Sequence, residues 1–211
     1  MFILIPIGIG SAIYLSEFAK QGRIVSLIRS TIEILAGIPS IVYGLFGAVF
    51  FVTFLRLNNS ILAGALTLVI MVLPLIIRTT EESLKAVDMT YREGGQSMGV
   101  SKMYIIRTIL LPCAMPGILS ATILSIGRMV GESAALLYTA SIATDMPIFN
   151  SIGDVFGHAM DSGATLTIQM YMYATEATAP LGVTYAIATV LIVIVLALNL
   201  SATALSNKLK K

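Results

Sequence analysis

Apolar windows without a charged residue constrain this chain more than any other feature of its sequence. A helix needs about 20 mostly apolar residues to cross a hydrocarbon core of about 30 Å, and several windows reach that length. The composition agrees, because 57% of the residues are hydrophobic and 11% are charged, whereas a soluble domain carries about 25% charged residues. Runs such as residues 191–198 are apolar on every side, unlike the alternating strands of a membrane barrel. The sequence therefore predicts an all-α membrane protein.

About five membrane-spanning helices are predicted, and together they form one polytopic helical bundle that occupies residues 1–211 as a single domain. In chain order the predicted spans are Met1–Ser16, Ile34–Leu55, Leu57–Ile77, about Met115–Tyr138 and Leu181–Leu205. The first window covers only about 24 Å at 1.5 Å per residue, so we expect the start of the sequence to be truncated. The fourth window differs from the others because it contains charged residues, Arg128 and Glu132.

The distribution of basic residues predicts the topology, because Lys and Arg collect on the cytoplasmic side of membrane proteins. They cluster after the first and third spans and at the C-terminus: Lys20, Arg23, Arg29, Arg78, Lys85, Arg92, Lys102, Arg107, Lys208, Lys210 and Lys211. The segment 141–180 has no Lys or Arg and carries four acidic residues, so it is predicted to be an outer loop. We therefore expect a multi-pass protein of the cytoplasmic membrane with a cytoplasmic C-terminus.

A long cytoplasmic stretch, Thr79–Arg107, is predicted to be ordered. The sequence Thr79-Thr-Glu-Glu82 is typical of a capping box that begins a helix. Gly99 and Ser101 are expected to separate two short helices, at about Tyr91–Met98 and Lys102–Leu110.

Four apolar side chains of the same stretch are expected to face water or a partner: Met98, Val100, Met103 and Tyr104. Short amphipathic helices of this kind insert into grooves of partner proteins. A solvated loop is the alternative for a charged segment. The spacing of particular residues favours docking.

Glu93 is followed six residues later by Gly99, and then by Ile109-Leu-Leu-Pro112. This spacing resembles the EAA signature of permeases from ABC importers, which covers the predicted coupling loop at about 79–112. The sequence departs from the signature at Gly94 and Gly95, where the family has alanines, and each glycine costs a helix about 1 kcal/mol relative to alanine. We therefore expect the start of this coupling helix to be loose. The residues predicted to couple to an ATPase are Glu93, Gly94, Gly95, Gly99, Ile109, Leu111 and Pro112.

The resemblance implies that the loop docks into a separate cytoplasmic ATPase dimer, which binds ATP and Mg²⁺. The chain itself lacks a GxxxxGK[ST] phosphate loop, so we expect a transporter subunit without a cofactor of its own and no enzymatic activity. The other implied partners are a homologous second permease, an extracytoplasmic phosphate-binding protein and the lipid bilayer, with no nucleic acid. A single Cys113 and a single His158 argue against a disulfide and a histidine metal cluster.

Further segments resemble the PstA-type permeases of phosphate importers, and this resemblance covers most of the chain. The matching segments are Tyr14–Ala19, Ala36–Gly47, Arg78–Leu84 and Gly127–Ser133. The resemblance implies inorganic phosphate as the substrate, and relatives of this type have an additional helix before the position of Met1. Permeases for molybdate or sulfate remain alternatives, as does an ion-coupled secondary transporter.

Arg128 is the first candidate for the translocation pathway, because a charge near the middle of a span costs about 2.5–3.5 kcal/mol on insertion scales. Glu132 lies four residues later and would share its helix face, so a structural ion pair is the competing interpretation. A guanidinium offers a planar fork that matches phosphate oxygens, and Glu132 could hold it until substrate arrives. Arg78 is a second candidate, for which simple anchoring at a cytoplasmic helix end is favoured. We expect no metal site.

Overall fold

The computed structural model describes residues 1–140, 158–176 and 180–209, and these ranges form helices without a strand. The helices, in chain order, are α1 (Leu4–Ile13, continued by a π segment Tyr14–Phe18), α2 (Arg23–Ala36), α3 (Ser40–Gly47, continued by a π segment Ala48–Phe54), α4 (Ile61–Lys85), α5 (Met89–Ser97), α6 (Lys102–Val130, with a π segment Ile106–Leu110), α7 (Ala134–Thr139), a 3₁₀ turn (His158–Met160), α8 (Leu166–Glu176) and α9 (Leu181–Leu209). Residues 141–157 and 177–179 of the predicted outer loop lie outside the described residues.

Within the described ranges, three helices are long and apolar enough to cross a membrane: α4, α6 and α9. A fourth span arises if α2 and α3, which are separated by a short break, count together as one broken span. The first predicted span is the shorter apolar helix Leu4–Phe18. The last predicted span is confirmed, since α9 covers it and continues for a further turn.

The second predicted span does not begin at Ile34. Pro39 precedes α3 with an extended backbone, φ −59° and ψ 140°, and a proline disfavours the helical conformation at the residue before it. The helix therefore restarts at Ser40. The preceding helix α2 is amphipathic, with exposed Ile24, Leu27 and Ile34 on one face, as in helices that lie in the membrane interface.

The predicted helix start at Thr79 is wrong, because α4 passes through this position and ends at Lys85. The Thr79 hydroxyl donates to the carbonyl of Leu75 at 2.8 Å and the Ser83 hydroxyl donates to the carbonyl of Thr79 at 2.8 Å. These side chains bond back to their own helix instead of capping free N–H groups. The residues that resemble a capping box therefore lie inside a continuous helix and do not begin a new one.

The fourth predicted span is displaced. Helix α6 begins at Lys102 and ends at Val130, and Gly131 forms a turn before α7. Arg128 therefore lies in the last turn of α6 rather than in the middle of a span. The prediction placed it too centrally because the apolar run continues across the break.

The chain divides into two compact units, each built from discontinuous segments. Unit 1 contains Met1–Ala36, Val72–Ile126 and the part from Leu198 onward, and unit 2 contains Gly37–Met71 and Gly127–Ala197. Unit 1 has a core of buried residues: Leu84, Ile105, Ile106, Leu110, Ala114 and Ile118. In unit 2, α3 packs against α7 at Gly44 and Gly47. The expectation of a single domain stays a prediction.

Candidate functional site

Helix α5 begins one residue after a side-chain cap. The Asp88 carboxylate accepts hydrogen bonds from the backbone N–H and the hydroxyl of Thr90, both at 2.8 Å. These two bonds lower the pKa of Asp88 below its ordinary value, so the carboxylate stays charged at the helix N-terminus, where a negative charge is favourable. The Asp88 cap thus fixes the start of α5 at Met89.

Gly99 and Ser101 separate α5 from α6, as predicted. Gly99 has φ +71°, a left-handed conformation that costs glycine little. Ser101 caps α6, since its hydroxyl accepts from the backbone N–H of Tyr104 at 3.3 Å. The motif glycine is therefore required by the turn between the two helices.

One side of the α5–α6 turn is exposed and apolar. Met98 is 82% exposed, and four neighbouring apolar side chains are also exposed: Tyr91, Val100, Met103 and Tyr104. Glu93 is also exposed and lies on α5, as Tyr91 does. We name Met98, Val100, Met103 and Tyr104 the docking surface, because contiguous exposed apolar side chains beside polar residues mark sites of protein contact.

Helix α5 is buried at Gly95. A Cβ atom at this position would lie 2.8 Å from Cγ1 and 2.9 Å from Cδ1 of Ile105, whereas a Cβ at Gly94 would meet nothing within 4 Å. Ile105 is only 2% exposed and has little room to move. The two glycines therefore have different roles, and Gly95 allows α5 to lie close to α6.

We expect Gly95→Ala to weaken ATPase coupling and Gly94→Ala to preserve it. Alanine gains about 1 kcal/mol of helix propensity at either position, but overpacking of a buried site costs about 1–3 kcal/mol, which dominates at Gly95 alone. ATPase co-purification and thermal stability of the detergent-solubilised protein measure the difference. Equal behaviour of the two variants would contradict this assignment.

The last part of the motif, Ile109 to Pro112, begins inside the π segment Ile106–Leu110 of α6 and ends just after it. The N–H of Leu111 donates to the carbonyl of Ile106, five residues earlier. Pro112 has no N–H to donate and its ring crowds the carbonyl of residue 108, so a wider turn before it relieves the conflict. Ile109 and Leu111 pack against the core of unit 1. The residues beside the motif proline thus pack α6 against this core. We name the segment 98–101 between α5 and α6 the docking turn.

Arg92 and Glu17 form a contact that the sequence analysis missed. Arg92 Nη2 lies 3.0 Å from Glu17 Oε1, and the two side chains are 14% and 7% exposed. Arg92 also donates to the carbonyls of Val87 and Leu84, each at 2.8 Å. An arginine directly before the motif, and an acid at the end of the first apolar window, were the available signals.

A second group of charges lies at the end of α4. Glu81, which is buried, pairs with Arg29 at 2.7 Å and with Lys85 at 2.8 Å. Arg29 also donates to the carbonyl of Leu15 at 3.0 Å and to the Gln21 side chain at 2.9 Å. Helix α2 is therefore attached to α1 and α4 by polar contacts within unit 1.

The predicted pathway residues occupy different surroundings. Arg78 pairs with Glu82 at 2.9 Å and with Glu33 at 3.5 Å, and all three side chains are exposed. Exposed pairs of this kind contribute about 0–1 kcal/mol. This geometry suits the anchoring interpretation of Arg78.

The competing interpretation of Arg128 and Glu132 as an ion pair on one helix face is wrong. The helix ends at Val130, so the four-residue spacing no longer places both side chains on one face. Glu132 is buried and its Oε1 accepts from the backbone N–H of Ala135 at 3.1 Å, while its own carbonyl accepts from Thr167. Arg128 is exposed and makes no ion pair with any residue that the structure describes.

Similarity to known proteins decides the family. Residues 5–211 match the family described as "Binding-protein-dependent transport system inner membrane component". The chain belongs to this family. The predicted resemblance to importer permeases is therefore confirmed, and the chain is a membrane component of the permease type.

Two curated relatives of this chain are also described as permeases. It is 39% identical over 144 residues to the probable ABC transporter permease protein YqgI of Bacillus subtilis (strain 168), covering 68% of this chain and 49% of that protein. It is 36% identical over 185 residues to the phosphate transport system permease protein PstA homolog of Mycoplasma pneumoniae (strain ATCC 29342 / M129 / Subtype 1), covering 84% of this chain and 27% of that protein. The chain thus spans about half the length of the first relative and less of the second.

Solved structures show the fold of the permease. The inward-facing MetNI methionine ABC transporter in its CY5 native crystal form aligns with a TM-score of 0.74 at 20% identity, covering 100% of this chain and 89% of that chain. An amino acid ABC transporter crystallised with histidines aligns with a TM-score of 0.62 at 20% identity, covering 98% of this chain and 87% of that chain. The predicted fold class, a helical importer permease, is confirmed.

Proposed function

We propose that this chain is a permease subunit of an ATP-driven importer that moves inorganic phosphate across the cytoplasmic membrane, with its C-terminus in the cytoplasm. The observation that carries the proposal is α5, a short capped helix that presents Glu93 and an exposed apolar surface at the register of the importer motif. Such a surface needs a partner groove. An ATPase dimer that binds ATP and Mg²⁺ would supply the groove.

Helix α6 supports a mechanical role for this contact. It begins at Lys102 beside the docking surface and continues without a break to Val130, so it carries Arg128 in its last turn. A displacement of the docked end is therefore passed along one helix. ATP-driven closure would then shift the equilibrium between two conformations that bind substrate differently.

Phosphate is favoured over other anions by the names of several relatives and by the chemistry of Arg128. Permeases described as parts of phosphate transport systems share 36–40% identity with this chain. Arg128 is an exposed cation without an ion-pair partner in the described ranges, and arginine suits the oxygens of phosphate. A second permease subunit and an extracytoplasmic phosphate-binding protein complete the proposed importer.

The test is uptake of radiolabelled phosphate by a strain that lacks its own permease and expresses the full-length protein with its partners. We expect Arg128→Gln to lower uptake about tenfold or more, because a charge-assisted hydrogen bond contributes about 1.5–3 kcal/mol, while ATPase co-purification stays intact. We expect Glu93→Lys to lower both uptake and co-purification. Arg23→Gln, which removes an exposed cation of α2 outside the coupling loop, is the matched control and is expected to leave uptake unchanged.

Uptake that is unaffected by Arg128→Gln and by Glu93→Lys would contradict the mechanism. If excess unlabelled molybdate or sulfate inhibited uptake and excess unlabelled phosphate did not, the substrate would be that oxyanion and not phosphate. Uptake that continues after removal of the ATPase would instead support an ion-coupled transporter.

A further inference from the structure

The ion pair between Glu17 and Arg92 connects the π segment at the end of α1 with α5. Both Nε and Nη2 of Arg92 donate to Oε1 of Glu17, at 3.3 and 3.0 Å. Glu17 is 7% exposed and Arg92 is 14% exposed. The pair is therefore largely withdrawn from water, in contrast to the exposed pairs that Arg78 makes in the same unit.

The remaining donors of Arg92 fix its position. Nη1 donates to the carbonyl of Val87 and Nη2 to the carbonyl of Leu84, at the end of α4 and just beyond it. A guanidinium holds its donors in a rigid planar fork, so these acceptors define where Glu17 must lie. One side chain of α5 thus holds together the cytoplasmic ends of α1 and α4.

Lys102 adds a second attachment at the same place. Its ammonium group donates to the backbone carbonyl of Glu17 and lies 5.4 Å from the centre of the Phe18 ring. Lys102 is the first residue of α6. Both helices that flank the docking turn are therefore attached to the end of α1.

A buried ion pair is a weak means of stabilisation, because the cost of removing two charges from water offsets most of their attraction. Well-packed apolar residues would hold two helix ends together equally well. What the pair provides is a fixed register, since guanidinium and carboxylate must meet in one geometry. This geometry suits a contact that must transmit a displacement.

We propose that Glu17 is a positioning residue that passes movement of α5 to α1, through Arg92, when the ATPase closes. The proposal rests on the proposed function, because it requires an ATPase docked on α5. The docking surface touches the partner, α5 carries the displacement, and the Arg92–Glu17 pair moves the end of α1 with it. Without the pair, the ATPase binds and hydrolyses ATP while α1 follows less far, because only the Lys102 contact with the Glu17 carbonyl still attaches it.

The experiment uses the full-length chain in complex with its partner permease and ATPase in nanodiscs, in a Cys113→Ala background. A fluorescent non-natural amino acid at Phe2, which is 98% exposed before α1, reports movement of this helix on addition of ATP and vanadate. We expect Glu17→Gln to reduce the fluorescence response at least threefold while ATPase retention changes less than twofold. Glu33→Gln, which removes an exposed acid of α2 in the same unit, is expected to leave the response unchanged.

A restored attachment distinguishes transmission from simple stabilisation. In the double variant Glu17→Cys and Arg92→Cys, a bifunctional maleimide that bridges the two thiols is expected to return the response to at least half of the wild-type value. A wild-type response in Glu17→Gln, or no recovery after a bridge that is demonstrated on a gel, would overturn the proposal.

The outcome also separates this inference from the proposed function. A wild-type complex that retains no ATPase would contradict the docking role of α5 and the inference with it. A response that is lost in Glu17→Gln and restored by the bridge, in a complex that takes up no phosphate, would support the inference and contradict phosphate as the substrate.

Discussion

Replacement of Met98 by aspartate is expected to abolish retention of the ATPase by the purified complex. Met98 is 82% exposed and follows α5 directly, so its side chain contributes little to the packing of the chain itself. In a docked complex the same position would be enclosed, and an unpaired carboxylate in an apolar contact is strongly unfavourable. Truncation of a central contact residue alone costs 2 kcal/mol or more, and each 1.4 kcal/mol is a factor of ten in affinity.

The measurement is the amount of ATPase that co-purifies with the tagged permease, together with the dissociation constant of the isolated ATPase for the permease in nanodiscs. We expect this constant to rise at least 30-fold in Met98→Asp. Met160→Asp is the matched control, because Met160 is also an exposed methionine but lies in the segment that the charge distribution assigns to the opposite side. An ATPase retained equally by both variants would show that the docking surface faces something else.

The docking turn was predictable because its determinants are local. Gly99 must adopt a positive φ for the chain to reverse, Ser101 caps the helix that follows, and Pro112 requires an adjusted turn before it. Each of these requirements depends on residues within a few positions. These residues therefore predicted α5 to within about two residues and the start of α6 at Lys102, but not that α6 continues beyond Leu110 to Val130.

The ends of the spanning helices were less predictable, because hydropathy does not record where a helix stops. The apolar run through residues 115–138 continues across the break after Val130, and only the structure places Arg128 in a last turn. The capping-box pattern at Thr79 failed for the opposite reason, since packing in unit 1 continues α4 to Lys85.

The charged contacts of unit 1 could not be derived from sequence spacing at all. Glu17 and Arg92 are 75 residues apart in the chain, so nothing in either local pattern identifies the partner. Arg128 and Glu132 had the ideal spacing for a pair and do not form one, because the helix ends between them and Glu132 caps α7 instead. A pair of residues far apart in sequence can be identified only from the fold. A pair four residues apart forms on one helix face only if the helix continues through both residues.

Gly44→Ala is expected to destabilise unit 2, because the added methyl group on α3 would overlap backbone atoms of α7. A Cβ atom at Gly44 would lie 2.8 Å from the Cα of Ala135 and 3.1 Å from the carbonyl oxygens of Ala134 and Ala135. All three atoms belong to the backbone of α7, so no rotation of a side chain relieves the overlap. Carbon atoms pack at about 3.5–4.0 Å, and α7 would therefore have to move away by about 1 Å.

Two opposing effects decide the size of this loss. Alanine gains about 1 kcal/mol over glycine inside a helix, whereas overpacking costs about 1–3 kcal/mol, occasionally more, and small residues at membrane helix contacts are what allow backbones to approach. We expect the net loss to lower the thermal midpoint in detergent, since 1 kcal/mol corresponds to about 2–4 °C for a chain of this size. Gly182→Ala is the matched control in the same unit, because a Cβ there would meet nothing within 4 Å, and it is expected to leave the midpoint unchanged or to raise it. A midpoint that falls equally in both variants would mean that loss of glycine, rather than the close approach of α3 and α7, is responsible.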